Sequence, residues 1–449
     1  MQVRRVAAVI TLSLMALIWG GGMCASPAMA KTDLLPGSEL LKFVRTVIDK
    51  HPRVAAAQAH ITASEAIQRA ADHRVYNPSL TLGAESAIHN TLTMGLSQTL
   101  DWSGKREARV ALATADVKLS EAHYLLQRRG LTIGLLLALA DYQTNIEHSA
   151  LALERLTLMR KFVDLAKEGV ELGNVSSAEL NLTTLVYTDA RLRQATAAAG
   201  LIEARQKVSM FAYSSTYKQW PLLDAGLPVL PAKGDVASLL QALPEVQISQ
   251  RRVALALAGV QMHKAEQALD PSVGVVAGKE GGRGLIGVHV SIPLPMDQGF
   301  SHVLTAAQAR HHQAQFLADD ALQRARVRLI SAREGYQVAQ RAMSEWQRIG
   351  HASVLKQGGQ LYNLWVMGEL NTTDFLMQLD QTLNSQDSAL DLRKALWRAW
   401  FEYLAASGGI ERWLDTGGRD GLKNNGYKSP VLIKPQPLLA SPASSKKTL

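Results

Sequence analysis

Six histidines in helix-like segments are the side chains best suited to binding a metal ion. They are His123, His148, His263, His302, His311 and His312. A metal site on one helix needs two ligands on the same face, as in His-x-x-x-His or Glu-x-x-His, and none of the six has that spacing. No cluster of methionines accompanies them. We therefore interpret these histidines as solvated helix positions and predict no resident metal ion.

Sequence patterns typical of enzymes are also missing. The chain has no Gly-x-Ser-x-Gly nucleophile elbow and no nucleotide-binding loop followed by a helix. The run Gly281-Gly282-Arg283-Gly284 lacks the Lys-Ser/Thr pair of a phosphate-binding loop, so we predict a mobile turn there. We expect a protein that is not an enzyme and that uses no cofactor.

The composition favours helices packed against helices. Of 449 residues, 47% are hydrophobic but only 6% are aromatic. The hydrophobic share excludes a disordered chain, and a single cysteine excludes a disulfide scaffold or a thiolate zinc site. The formal net charge is +9, but the basic residues are scattered along the chain. We therefore expect no nucleic-acid partner.

The N-terminus has the pattern of a secretory signal peptide, residues 1–30. Two arginines precede an apolar run over residues 6–19, and Ala28-Met29-Ala30 offers small residues before the cleavage point. The run is shorter than the roughly 20 residues of a membrane-spanning helix. A short membrane anchor and a lipoprotein acylated at Cys24 are the alternatives. The pattern predicts export from the cytoplasm.

The sequence repeats itself with a period near 195 residues. Tyr76-Asn77-Pro78-Ser79 in the first half corresponds to Leu269-Asp270-Pro271-Ser272 in the second. Each repeat has the pattern of a helix, a β-hairpin, a long helix and a further helix. We predict a first repeat over residues 31–220, a linker over 221–233, a second repeat over 234–407 and a C-terminal tail over 408–449.

Each repeat contains one segment in which apolar and polar residues alternate. The alternation predicts hairpins over about residues 79–100 and about residues 272–293. Strands of about ten residues are long enough to cross a bilayer when tilted. Tyr76 and Trp102 flank the first hairpin and would lie at the same end of it. They are either membrane-interface anchors or core aromatics at a junction between strand and helix.

Long helices follow each hairpin, and their apolar residues recur at every seventh position. This spacing is typical of coiled coils. In the first repeat the positions are Leu112, Leu119, Leu126, Ile133 and Ala140, then Leu151, Leu158, Leu165 and Leu172 after a four-residue stutter. In the second repeat they are Leu322, Leu329, Tyr336 and Met343, then Leu376, Leu383, Leu390, Trp397 and Leu404.

Four strands are too few to cross a membrane alone. Transmembrane barrels have at least about eight strands, and an open sheet in lipid leaves edge N–H and C=O groups without partners. Two copies of the chain would supply eight strands and three copies would supply twelve. The spacing of the residues does not choose between these numbers.

Residues 35–407 resemble the TolC-type outer-membrane factor family. The resemblance lies in the order of short motifs: His51-Pro52, Tyr76-Asn77-Pro78, two hairpins, and two turns in which a glycine is followed by Ser or Thr. The segment Ser97-Gln98-Thr99-Leu100-Asp101-Trp102-Ser103-Gly104-Lys105-Arg106-Glu107-Ala108-Arg109 most resembles the heavy-metal (cobalt–zinc–cadmium or copper) efflux branch.

The resemblance implies a fold that is mainly α with a small β-barrel part. Three chains would form a homotrimer, with a twelve-stranded barrel in the outer membrane lipid and a coiled-coil α-barrel extending into the periplasm. Such trimers are passive exit ducts of tripartite efflux systems. Their partners are a periplasmic adaptor (membrane fusion protein) and an inner-membrane transporter, here of the resistance-nodulation-division type. The branch implies heavy-metal cations as the cargo.

In that family, helix–turn–helix tips at the periplasmic end dock the adaptor. By position, the docking residues are Gly173, Val175, Ser176, Ser177 and Glu179 in the first tip, and Gly368, Leu370, Thr372, Thr373 and Asp374 in the second. Asp374, Glu369 and Glu179 are candidates for an acidic aperture that attracts cations. Alternatively, such carboxylates stabilise the starts of helices by about 0.3–1 kcal/mol.

Two other interpretations are open at this point. The same architecture could conduct drugs or a type I secreted polypeptide. A soluble periplasmic coiled-coil scaffold would instead carry the hairpins on a water-exposed surface.

Overall fold

The computed structural model describes most of the chain between residues 36 and 415. The described residues are 36–86, 90–173, 175–212, 220–223, 230, 236–294, 299–367 and 369–415. The predicted signal peptide, most of the predicted linker and the predicted tail beyond residue 415 lie outside them.

Two halves with the same order of elements make up the described chain. The first half contains α1 (Pro36–Asp49), α2 (Pro52–Ala71), β1 (Ser79–Ser86), β2 (Asn90–Thr99), α3 (Lys105–Glu171) and α4 (Ser177–Phe211). The second contains α5 (Val236–Gln241), α6 (Pro244–Glu266), β3 (Ser272–Glu280), β4 (Arg283–Ser291), α7 (Phe300–Glu345), α8 (His351–Val366), α9 (Thr372–Ser407) and α10 (Ile410–Asp415). A π-helical turn, Trp346–Gly350, continues α7 into α8.

The four strands form one antiparallel sheet in the order β1-β2-β3-β4. Its register aligns apolar residues on one face, as in the row Leu80, Leu96, Val275 and Val288. The other face carries small and polar residues, as in the row Ser79, Ser97, Gly274 and His289. The apolar face is exposed, up to 85% for Ile286. The alternation read from the sequence therefore produces a two-faced sheet.

The turn between β3 and β4 is shorter than the sequence predicts. Only Gly281 and Gly282 lie outside the ladder, and both have positive φ, 52° and 88°. Two such residues make a turn whose twist matches that of the strands it joins. Arg283 and Gly284, which were expected in the turn, therefore lie in β4.

Long helices dominate the rest of the described chain. α3 has 67 residues, and α7, the π-turn and α8 contribute 46, 5 and 16 residues to a helix of the same length. At 1.5 Å per residue each extends about 100 Å. Within the described residues, no helix has an apolar stretch long enough to cross a lipid bilayer.

The predicted sevenfold positions are buried in the second half but only partly in the first. Tyr336, Leu383 and the other second-half positions are buried except Leu322, which is partly buried, whereas Leu165 and Leu172 near the end of α3 are 50% and 74% exposed. α3 packs there against both α4 and α9. Two neighbours require a wider apolar face than one seam provides, so the buried residues are Met159, Phe162, Val163 and Ala166.

α9 ends where α6 begins, and the larger hydrophobic cluster surrounds this point. Gly408 ends α9 with a φ of 72°, next to Leu243, the N-cap of α6. α10, which opens the predicted C-terminal tail, adds buried Ile410 and Trp413. α6 and α9 each pack against both α3 and α7, whereas α2 packs mainly against α3.

Candidate functional site

The first predicted tip joins α3 to α4 through a capped turn. Gly173 has a φ of 73°, and its N–H donates to the carbonyl of Val170 at 3.0 Å, which ends α3. Ser176 then caps α4, since its Oγ accepts from the N–H of Glu179 at 3.2 Å. The Glu179 carboxylate accepts in return from the Ser176 N–H at 2.9 Å. These hydrogen bonds lower the pKa of Glu179.

The second tip joins α8 to α9 with a related design. Asn371 caps α9 because its Oδ1 accepts from the N–H of Asp374 at 2.8 Å, and its Nδ2 donates to Asp374 Oδ2 at 2.8 Å. The N–H groups of Glu369 and Leu370 both donate to the carbonyl of Leu364, which ends α8. Gly368, the predicted centre of this tip, lies outside the described residues.

The three predicted acidic residues differ in what their carboxylates do. Glu179 and Asp374 are half-buried. Their carboxylates accept hydrogen bonds from the helix-capping residues, Ser176 and Asn371 respectively. Glu369 is exposed and takes part in neither cap. The helix-stabilising interpretation therefore accounts for two of the three, and the aperture assigned to all three stays a prediction.

An aromatic cluster supports both tips, and sequence reasoning did not identify it. Trp365 of α8 stacks on Phe375 of α9, with ring centroids 5.3 Å apart, and Phe162 of α3 lies 5.0 Å from each of them. The Nε1–H of Trp365 also donates to Oγ1 of Thr372 at 3.4 Å. The smaller hydrophobic cluster contains these rings together with Ala190 of α4. Because the three rings come from separate segments, no local motif identifies them.

At the other end of the long helices, Asp270 ties the sheet to α3. Its side chain is 2% exposed and accepts from Lys105 Nζ at 2.8 Å and from Tyr76 Oη at 2.9 Å. It also accepts from the Oγ of Ser103 and the N–H of Trp102, at 2.9 and 3.2 Å. Burial alone would raise the pKa of Asp270, but the hydrogen bonds outweigh it and lower that pKa to about 2.

The segment that carried the resemblance to the heavy-metal branch builds this junction. Both carboxylate oxygens of Asp101 accept from the first N–H groups of α3, those of Lys105 and Arg106, at 2.8 Å each. Gly104 precedes the helix with a φ of 73°. Much of this motif therefore serves to start α3 beneath the sheet, which is a structural task.

Tyr76 and Trp102 lie together at this end of the sheet, as predicted, because both bind Asp270. They differ in their exposure. Trp102 is 78% exposed, whereas Tyr76 is half-buried and its hydroxyl is engaged. Their role as membrane-interface anchors stays a prediction, and Trp102 has the exposure that such a role needs.

Two of the six histidines considered as metal ligands pair with carboxylates instead. His148 lies between Asp387 and Asp391 of α9, with nitrogen-to-oxygen distances of 2.6 and 3.3 Å. The hydrogen bond to Asp387 raises the pKa of His148. His263 pairs with Glu266 one turn along α6 at 2.9 Å. Across the described residues, no group of three His, Cys, Asp or Glu side chains is arranged to hold a metal ion.

Known proteins resemble this chain in the sequence of one segment and in fold over a larger part. Residues 44–210 match the family model described as outer membrane efflux protein. No curated protein matches the sequence. Solved structures match much more of the chain, although their sequence identities are low.

Three solved structures illustrate the likeness. CusC superposes with a TM-score of 0.70 at 15% identity, covering 82% of this chain and 92% of CusC. The outer membrane protein VceC of Vibrio cholerae gives 0.67 at 16%, covering 83% and 96%. The open outer membrane channel MtrE of Neisseria gonorrhoeae gives 0.69 at 15%, covering 82% and 89%.

The predicted fold class, long paired helices with a small four-stranded antiparallel sheet, is confirmed by these structures. The family match covers the first repeat, and the fold match extends over both repeats. The chain is therefore similar to the outer membrane efflux proteins in the sequence of residues 44–210, and its fold is similar to those of CusC, VceC and MtrE over 82–83% of its length.

Proposed function

We propose that the protein is a passive outer-membrane exit duct of a tripartite efflux system, extending into the periplasm. The observation that carries the proposal is the exposed apolar face of the four-stranded sheet, on which Leu82 and Ile286 are 72% and 85% exposed. In water such a face is unfavourable, whereas in lipid it is the expected surface. Cell fractionation tests this point, because release of the mature protein without detergent would contradict it.

The edges of the sheet would let several copies of the chain join into one barrel. β1 and β4 are the two edge strands and run in opposite directions, so β4 of one copy can pair antiparallel with β1 of the next. Head-to-tail pairing of this kind gives a closed ring when the rotation between successive copies adds up to a full turn. Three copies would give the twelve-stranded barrel that the family resemblance implies.

A second surface for contact between copies lies on α7. Phe316, Val327 and Val338 are spaced eleven residues apart and are 73%, 53% and 59% exposed. Eleven residues make slightly more than three whole turns, so the three side chains lie nearly in line. The buried residues Leu329 and Tyr336 lie on the opposite side of the helix. We assign this apolar stripe to contact with a second copy.

Introducing a charged side chain into the stripe tests this contact. Val338→Asp should convert trimers to monomers in mild detergent, as measured by light scattering after gel filtration. Gln337→Asp is the matched control, because the neighbouring side chain projects about 100° away and is also exposed. A stable trimer in both variants would contradict the stripe, and a dimer in the unaltered protein would contradict the twelve-stranded barrel.

The tips are the proposed docking site for a periplasmic adaptor, which would join the duct to an inner-membrane transporter. Gly173→Pro should distort the first tip, because proline cannot adopt a φ of 73° and lacks the N–H that Val170 accepts. Cross-linking to a periplasmic adaptor should fall, while the trimer persists. Gly130→Ala, on α3 with open space around it, is the control. Undiminished cross-linking of the proline variant would contradict the docking assignment.

Heavy-metal cations are the proposed cargo, on the strength of residues 97–109 and their resemblance to the metal branch. Exposed Glu369 at the second tip would favour cations over anions. A deletion strain should lose tolerance to zinc, cobalt, cadmium, copper or silver. Unchanged metal tolerance together with new sensitivity to organic compounds would replace metals with drugs as the cargo, and a secretion defect would indicate a polypeptide.

A further inference from the structure

A cavity of about 610 Å³ lies between α3 of the first half and α6 and α7 of the second half. Two small residues of α9, Ala405 and Ala406, also line it. Its apolar lining includes Leu126, Ile248, Ala314, Leu317 and Ala321. Neither the proposed duct interfaces nor the tips use this cavity.

Arginines line the same cavity in excess over carboxylates. Arg324 is paired with Asp320 at 2.6 Å, and Arg328 shares Glu245 with Arg129 at 3.4 Å each. Arg252 and Arg310 also line the cavity. Throughout the described part of the chain, neither of these two has an ion-pair partner. The cavity therefore has an apolar floor with uncompensated positive charge beside it.

A buried cation adds to this charge. Arg129 is 5% exposed, and its Nε and Nη2 have no hydrogen-bond partner within the described residues. Its only carboxylate contact there is Glu245, which Arg328 also uses. Glu245 lines the cavity and Arg129 does not, so the buried guanidinium adds positive charge behind the lining.

The cavity stays open beside its neighbouring helices. Along α7, Arg310 and Arg328 lie five turns apart, about 27 Å, on one face of the helix. That face is roughly a quarter turn away from both the buried residue Tyr336 and the apolar stripe assigned to a second copy. Neither the chain's own packing nor the proposed trimer contact therefore covers it.

We propose that this cavity binds an amphiphilic organic anion. Arg252 and Arg310 would bind the anionic head group, and the floor formed by residues such as Leu317 and Ala321 would cover an elongated apolar body. An inorganic anion would leave the floor uncovered, and a neutral amphiphile would leave the arginines without an acceptor. This site depends on the fold alone, and it holds whether or not the proposed metal cargo is correct.

Calorimetric titration of the full-length protein in lipid nanodiscs with decanesulfonate tests the site, with empty nanodiscs subtracted. We expect saturable binding, weakened about tenfold or more in the double variant Arg252→Ala/Arg310→Ala, because each arginine supplies a charge-assisted hydrogen bond. Arg326→Ala, on the opposite face of α7, should bind like the unaltered protein. Ala321→Phe should also weaken binding by filling the floor.

Any one of four outcomes would overturn the proposal. Inorganic sulfate binding as tightly as decanesulfonate would show that the apolar floor is unused. Decyl maltoside, which is neutral, competing equally would show that the arginines are unused. Absence of saturable binding, or equal loss in the Arg326→Ala control, would remove the site altogether. Metal tolerance of the corresponding strains is measured separately, so failure here is distinguishable from failure of the duct.

Discussion

Tyr76 and Asp270, which are 194 residues apart in the sequence, are joined by a hydrogen bond of 2.9 Å from the tyrosine Oη to Oδ2 of the aspartate. Each belongs to the short motif that precedes the hairpin of its own repeat. Lys105, the first residue of α3, contacts both side chains, at 3.3 Å and 2.8 Å. The duplicated halves therefore meet at one polar cluster, which fixes the two hairpins relative to the long helix.

Removal of the central carboxylate should weaken this junction strongly. Asp270→Ala leaves Lys105, whose side chain is only 15% exposed, without its ion-pair partner. Breaking a buried pair by removing one member costs about 3–5 kcal/mol. We expect a lower unfolding temperature in differential scanning calorimetry. Arg106→Ala, which removes an exposed ion pair with Asp72 at 3.6 Å, should cost less than about 1 kcal/mol. Equal effects would contradict the role of Asp270.

The same carboxylate predicts a pH dependence at the acid end. Because the pKa of Asp270 is lowered from 3.8 to about 2, its stabilisation is fully present above pH 4. It is lost as the pH falls towards 2, and it amounts to about 2 kcal/mol. Between pH 5 and pH 2 the unfolding temperature should therefore fall more steeply in the unaltered protein than in Asp270→Asn. Parallel curves would show that the pKa of Asp270 is not depressed.

His148 predicts a pH dependence of opposite sign. Its pKa is raised by the hydrogen bond to Asp387 and by the charge of Asp391, so its contribution is complete below pH 6.5. That contribution is lost as the pH rises through the elevated value. His148→Gln should cost stability at pH 6 and less at pH 9. His263→Gln is the control. The partner of His263, Glu266, lies on the same helix, so this pair does not connect two helices. A pH-independent cost for His148→Gln would contradict the paired imidazolium.

The sequence predicts the elements well because their signals are local and periodic. The alternation predicts hairpins over about residues 79–100 and 272–293, and the four strands lie within these segments; the sevenfold spacing corresponds to the long helices. Leu165 was placed wrongly in a buried seam because spacing alone does not reveal that α3 has two neighbours near its end. The number of packing partners is a tertiary property.

The candidate sites are predictable in position but less so in detail. Gly173 and Ser176 signal a helix end and a helix start, and the structure places the caps there. The triad of Phe162, Trp365 and Phe375 has no such signal, because each residue reads as an ordinary apolar helix position. Asp270 has only its place before Pro271, which gives no hint of the partners it acquires from the other repeat.

The π-turn at residues 346–350 gives the sharpest test of packing within one helix. Gly350 faces the ring of Trp346 so closely that a Cβ there would collide with the indole. Gly335, on α7, has open space at the same position. Gly350→Ala should therefore destabilise the protein by about 1–3 kcal/mol through overpacking. Gly335→Ala should instead stabilise it by about 0.5–1 kcal/mol, because alanine favours the helix.

Calorimetric unfolding of both variants in the same detergent measures the difference. Trp346→Leu combined with Gly350→Ala should recover part of the loss, since the smaller side chain frees the space that the new methyl group needs. Opposite signs for the two glycine variants, with recovery in the double variant, would establish that the indole against Gly350 holds the π-turn. If the Gly350→Ala variant proved as stable as the Gly335→Ala variant, the close contact between Gly350 and the Trp346 indole would not constrain the helix at residues 346–350.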